Sequence, residues 1–71
     1  MNWQKVKEGD IIELKAIMSP YAIKEIVVVK SQNWDESSNR RTIFGYLQGG
    51  SGEEFAFLES KHRFIRFIKK S

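Results

Sequence analysis

The chain contains no cysteine. That absence excludes a disulfide framework, a thiolate zinc site and a cysteine nucleophile. Small exported domains are commonly stapled, so the absence also points to a reducing, cytoplasmic setting. Pro20 is the only proline and His62 the only histidine. The longest apolar runs are four residues, Ile26 to Val29 and Phe55 to Leu58, whereas a membrane span needs about 20, so no integral membrane association is expected. The opening MNWQKVKEGD has no apolar stretch after its lysines and does not read as a secretory signal. None of Asn2, Asn33 and Asn39 begins an Asn-x-Ser/Thr glycosylation acceptor.

What remains is 71 residues, 41% hydrophobic and 13% aromatic, with 30% charge of mixed sign. That length holds one domain, residues 1–71, and leaves no room for an elaborate catalytic domain with an internal cofactor site. Its apolar content separates it from disordered chains. The charge is distributed unevenly. Residues 1–59 hold seven Lys/Arg against nine Asp/Glu, while residues 60–71 hold Lys61, Arg63, Arg66, Lys69 and Lys70 with no acid. The whole positive excess therefore sits in the last twelve residues, where it attracts phosphates, an anionic lipid surface or an acidic protein face.

The hydrophobic pattern reads as short strands. Gly9-Asp10 is a turn launching Ile11 to Met18, where Ile12, Leu14, Ala16 and Met18 share one face and Glu13 and Lys15 the other. Ser19-Pro20-Tyr21 breaks that strand. Ala22 to Lys30 follows, with a β-branched run at Ile26 to Val29. Ser31 to Arg40 is polar and turn-prone and reads as the longest loop. Arg41 to Gln48 is a third strand with Gly45 inside it, the sign of a bend, a bulge or a close backbone approach. Gly49-Gly50-Ser51-Gly52 turns the chain into Glu53 to Glu59. After Ser60-Lys61-His62, the segment Arg63 to Lys69 fits two patterns. A helix would gather Phe64, Ile65, Phe67 and Ile68 on one side; a strand fits the Phe/Ile content but leaves neither face clean. The strand is the expectation, with a short C-terminal helix as the alternative.

Candidate chemistry is thin. His62 has no carboxylate in its own segment and reads as a surface residue. Glu53-Glu54 are adjacent and so point to opposite faces of a strand, which excludes an acid/base pair. The glycine turn lacks the Gly-Lys-Ser/Thr ending of a phosphate loop. No enzyme activity, cofactor or metal site is expected. Trp34 in the polar stretch, followed by Arg40-Arg41, is a candidate for stacking or partner contact. Trp3 reads as a plug over one end of the core. Of the pairs Phe44/Tyr46 and Phe55/Phe57, each sharing a strand face, at least one is expected in the core.

The order of these elements resembles the SH3-like small barrels, the group that includes Tudor, KOW and Sm-type domains. The residues carrying the likeness are Val6-Lys7-Glu8-Gly9-Asp10-Ile11-Ile12, the segment Ile43-Phe44-Gly45-Tyr46-Leu47, the Gly49 to Gly52 turn and the closing Phe64-Ile65-Arg66-Phe67-Ile68. The resemblance implies an all-β, five-stranded barrel. Gly45-Tyr46-Leu47 is similar to the Gly-x-Leu of the Sm group, whose following Asp and Met-Asn pair are absent here. A Tudor-type cage would draw on Tyr21, Trp34 and Tyr46.

The functional expectation is a non-catalytic module that binds nucleic acid, RNA or DNA. Its candidate residues are Trp34, Arg40, Arg41, Tyr46, Lys61, Arg63, Arg66, Lys69 and Lys70. The alternative is a protein-interaction module, a small adaptor or inhibitor of the bacterial or phage accessory type, meeting an acidic partner surface through the Trp34 segment and the basic end. A membrane-surface segment at residues 60–70 would follow only from the helical alternative. The expected state is a monomer or weak oligomer.

Overall fold

The computed structural model describes residues 2–17 and 23–71, and the expected Ser19-Pro20-Tyr21 break, Met18 and Ala22 lie outside the described residues. A 3-10 turn, Asn2–Lys5, precedes five strands: β1 (Ile11–Ala16), β2 (Lys24–Asp35), β3 (Arg40–Leu47), β4 (Phe55–Leu58) and β5 (His62–Lys69). They form one antiparallel sheet in the order β4-β3-β2-β1-β5. No helix among the described residues is long and apolar enough to cross a membrane.

The alternation of β1 supplies the centre of the core. Ile12 and Leu14 are fully buried, beside Val27 and Val29 of β2, Ile43 of β3 and Phe57 of β4. Each such side chain contributes roughly 1.5–3 kcal/mol on burial. Trp3 and Val6 cover one end of this cluster, with the Trp3 ring edge-on to Phe64 at 6.3 Å. The expected plug is therefore in place. At the other end the two edge strands approach through side chains: the Phe57 and His62 rings lie 5.5 Å apart, while no ladder pairs β4 with β5 among the described residues. The sheet is thus curled like a small barrel but is not closed.

β5 is a strand, and its mixed pattern has a geometric cause. Its register against β1 runs Lys15↔Arg63, Leu14↔Phe64, Glu13↔Arg66, Ile12↔Phe67 and Ile11↔Lys69, with shifts that leave Ile65 and Ile68 as extra residues. Each extra residue flips the alternation. Phe64 and Phe67, three apart, therefore both turn inward, their rings 4.9 Å apart, and Arg63, Arg66 and Lys69 all turn outward. A strict period of two would have separated them.

Three expectations need correction. Ser31 to Arg40 is not a long loop: β2 runs on to Asp35, paired Trp34↔Arg41 and Asp35↔Arg40, and only residues 36–39 turn. Asp35 fixes that turn by accepting the Ser37 amide (3.0 Å) and the Ser37 (2.7 Å) and Ser38 (3.0 Å) hydroxyls, and Asn39 closes it at φ 54°. A bulge at Lys30 flips the face of β2 partway along, which hid the strand's periodicity. Second, neither aromatic pair enters the core whole. Ile43 and Gly45 take the inner side of β3, Phe44 and Tyr46 the outer, and of the β4 pair only Phe57 is buried, Phe55 staying 41% exposed at the open end. Third, His62 is half-buried rather than on the open surface, its Nδ1–H donating to the Leu58 carbonyl at 3.0 Å. Gly45 is there for a close approach: a Cβ at that position would collide with the Val28 carbonyl oxygen.

Candidate functional site

The register sorts the candidate residues onto two surfaces. On the outer face of the sheet, transverse rows can be followed strand by strand. One row is Tyr46, Val28, Ile11 and Lys69 on β3, β2, β1 and β5. The next holds Ile26, Glu13 and Arg66, and the third holds Lys24, Lys15 and Arg63. Tyr46, Arg63, Arg66 and Lys69 are thereby brought to one face, with Tyr46 39% exposed. Lys15 and Lys24 join them.

The rows differ in how their charge is met. Arg66 donates Nε–H to Glu13 Oε1 at 2.7 Å, and Glu13, expected on a solvent face, is nearly covered beneath it. Lys24, Lys15 and Arg63 stand directly opposite one another across three strands, and none of them has an acidic partner among the described residues. Directly opposed like charges destabilise a sheet by roughly 0.2–1 kcal/mol. An open depression of about 180 Å³ lies between Lys15 and Arg63, bordered by Ala16 and Ile17. Lys61, in the turn before β5, and Lys69 also lack an acidic partner among the described residues.

Lys70 departs from this stripe. It turns back over the Phe67 ring, 4.2 Å from the centroid, and donates to Asp10 Oδ2 at 3.2 Å and the Lys5 carbonyl at 2.8 Å. Asp10 is fully buried and also accepts the backbone N–H groups of Lys7 (2.9 Å) and Ser71 (2.8 Å). Burial pushes its carboxyl up, but the Ser71 and Lys7 amides and the Lys70 ammonium outweigh that and hold it below the ordinary 3.8. Of the five C-terminal cations, Lys70 and Arg66 are therefore engaged within the fold.

The second surface lies past the core, where the β2–β3 hairpin carries Gln32, Trp34 and Arg41 on the same side as Ile43. Gln32 Nε2 donates to the carbonyls of Trp3 (2.7 Å) and Val6 (3.0 Å), and its Oε1 accepts Arg41 Nη1 at 2.6 Å. The Arg41 guanidinium so held lies 5.2 Å from the centroid of the Trp34 ring. The Arg41 amide donates to Glu59 Oε1 at 3.1 Å. Together Trp3, Gln4, Trp34, Ser38, Asn39, Arg40, Arg41 and Glu59 line an open cleft of about 420 Å³, within the usual size range of small-ligand sites. Trp34 remains 47% exposed. Trp34 and Tyr46 face opposite sides of the sheet and do not form a cage together, and Tyr21 lies outside the described residues.

Sequence reasoning missed Lys15, Lys24, Gln32 and Glu59. Only strand pairing shows the two lysines opposing Arg63, and only the corrected hairpin places Gln32 and Glu59 beside Arg41. Compared with family models, curated proteins and solved structures, the chain matches none.

Proposed function

We propose that this protein is a non-catalytic nucleic-acid-binding module on an SH3-like small barrel. The strand order β4-β3-β2-β1-β5 with a long, bulged β2 supports the fold assignment. The observation that carries the function is the row Lys24, Lys15, Arg63, three cations opposed across three strands with no acidic partner among the described residues. A polyanion relieves their mutual repulsion and releases its own counterions on binding. Lys69 extends that surface, Lys61 adds a cation at the turn, and Trp34 with Arg40 and Arg41 offers a base-stacking platform at the cleft. Stacking of that kind contributes ~1–3 kcal/mol per base.

The test is oligonucleotide binding by fluorescence anisotropy across a salt series, with single strands and duplexes. Binding is expected to weaken with salt at a log–log slope of about −2, which corresponds to roughly three phosphates on a single strand. Absence of binding, or binding indifferent to salt, would overturn the reading. A stoichiometric, nuclease-insensitive protein partner from lysate would then replace it with a protein-interaction module.

A further inference from the structure

The cleft beside Trp34 combines two features that suit different ligands. Its lining carries two cations, Arg40 and Arg41, and one carboxylate, Glu59. Of the parts of a nucleic-acid strand, only a base combines N–H donors for that carboxylate with a flat face for Trp34. A cationic ligand is disfavoured, because two arginines line the cleft against one carboxylate.

We propose that this cleft binds a guanine base of a single strand, stacked on Trp34 with its N1–H and N2–H groups donated to the Glu59 carboxylate. The proposal rests on the nucleic-acid reading above and names the base that reading leaves open. Guanine is the one common base whose Watson–Crick edge sets two donors side by side. Adenine and cytosine each place a ring acceptor next to the amino group, and uracil flanks its single N–H with two carbonyls. Glu59 is held in place for this role by the Arg41 amide on Oε1, and Oε2 makes no hydrogen bond among the described residues. Trp3 is nearly covered, which leaves Trp34 as the stacking surface. Arg40, Ser38 and Asn39 also line the cleft and offer donors to the sugar and phosphate of the same nucleotide.

The experiment compares fluorescein-labelled hexauridylate with the same strand bearing one central guanosine, each titrated with the full chain. The guanosine strand is expected to bind about tenfold tighter, the discrimination of one good bidentate contact. In Glu59→Gln that ratio should collapse to near one, with hexauridylate held at least as tightly because a negative charge has gone. Trp34→Ala should weaken both strands, and thermal midpoints check that each variant is folded. A ratio near one in the unmodified protein, with salt-dependent binding intact, would overturn the guanine assignment and leave the function standing. A ratio that survives Glu59→Gln would also overturn it. If neither strand binds, the nucleic-acid reading itself falls.

Discussion

The two ends of the C-terminal basic segment use the same kind of residue in opposite ways. At one end Lys70 and the Lys7 and Ser71 amides donate to the buried Asp10, and Lys70 donates to the Lys5 carbonyl as well. There a cation fastens β5 to the start of β1. At the other end Arg63 faces Lys15 and Lys24 with no acid among the described residues to meet it. Arg66, on its Glu13, lies between them in position and in role. What separates a structural cation from an available one is its cross-strand neighbour, and the difference predicts opposite responses to mutation.

The largest expected effect is at the fastened end. Asp10→Ala leaves the Lys7 and Ser71 amides without their acceptor and takes one of two acceptors from Lys70, and it should cost about 3 kcal/mol. For a chain of this size that lowers the midpoint of thermal unfolding by on the order of 15 °C. A loss under about 1 kcal/mol in urea denaturation would show that Asp10 is no lock. The same group gives the protein an acid limb. Because its folded pKa lies below 3.8, its stabilisation is complete above that value and disappears as pH falls through the lower, folded one. Stability of the unmodified chain should therefore drop below about pH 4 more steeply than that of Asp10→Ala, as read by far-UV circular dichroism.

In the middle, Arg66→Ala should cost about 1 kcal/mol. The arginine is well exposed and the ion pair itself is worth little, so the cost comes from leaving the nearly covered Glu13 carboxylate without its donor. An Arg66→Ala change that leaves urea stability untouched would class this pair with the free end. At that free end the sign reverses. Lys15→Gln with Lys24→Gln should raise stability by a few tenths of a kcal/mol, because opposed like charges are removed. The same pair should weaken oligonucleotide binding and make its salt slope shallower by about 1 to 1.5 units. Loss of stability in that double variant would mean the two lysines hold the fold, and the comparison between the ends would fail.

Much of the fold was legible in the chain because alternation reports burial directly. The inward face of β1 and the Trp3 plug follow from residue pattern, and the Gly45 approach from one missing side chain. The strand β5 was ambiguous for a definable reason: the extra residues Ile65 and Ile68 convert a period of two into spacings of three, which imitate a helix. The outer half of β2 was misread because Ser31, Gln32 and Asn33 serve hydrogen bonds and solvent instead of the core. Its turn was nevertheless written in Asp35, Ser37, Ser38 and Asn39.

By itself, the sequence determined an all-β chain with its net positive charge gathered at one end, since strand propensity, apolar alternation and charge are properties of neighbouring residues. Which cations are spent and which are left to bind was decided by register. Asp10 is 60 positions from Lys70, and Lys15 meets Arg63 only because β1 lies between β2 and β5. Electrostatic energy depends on distance through space, and that distance is set when the sheet assembles.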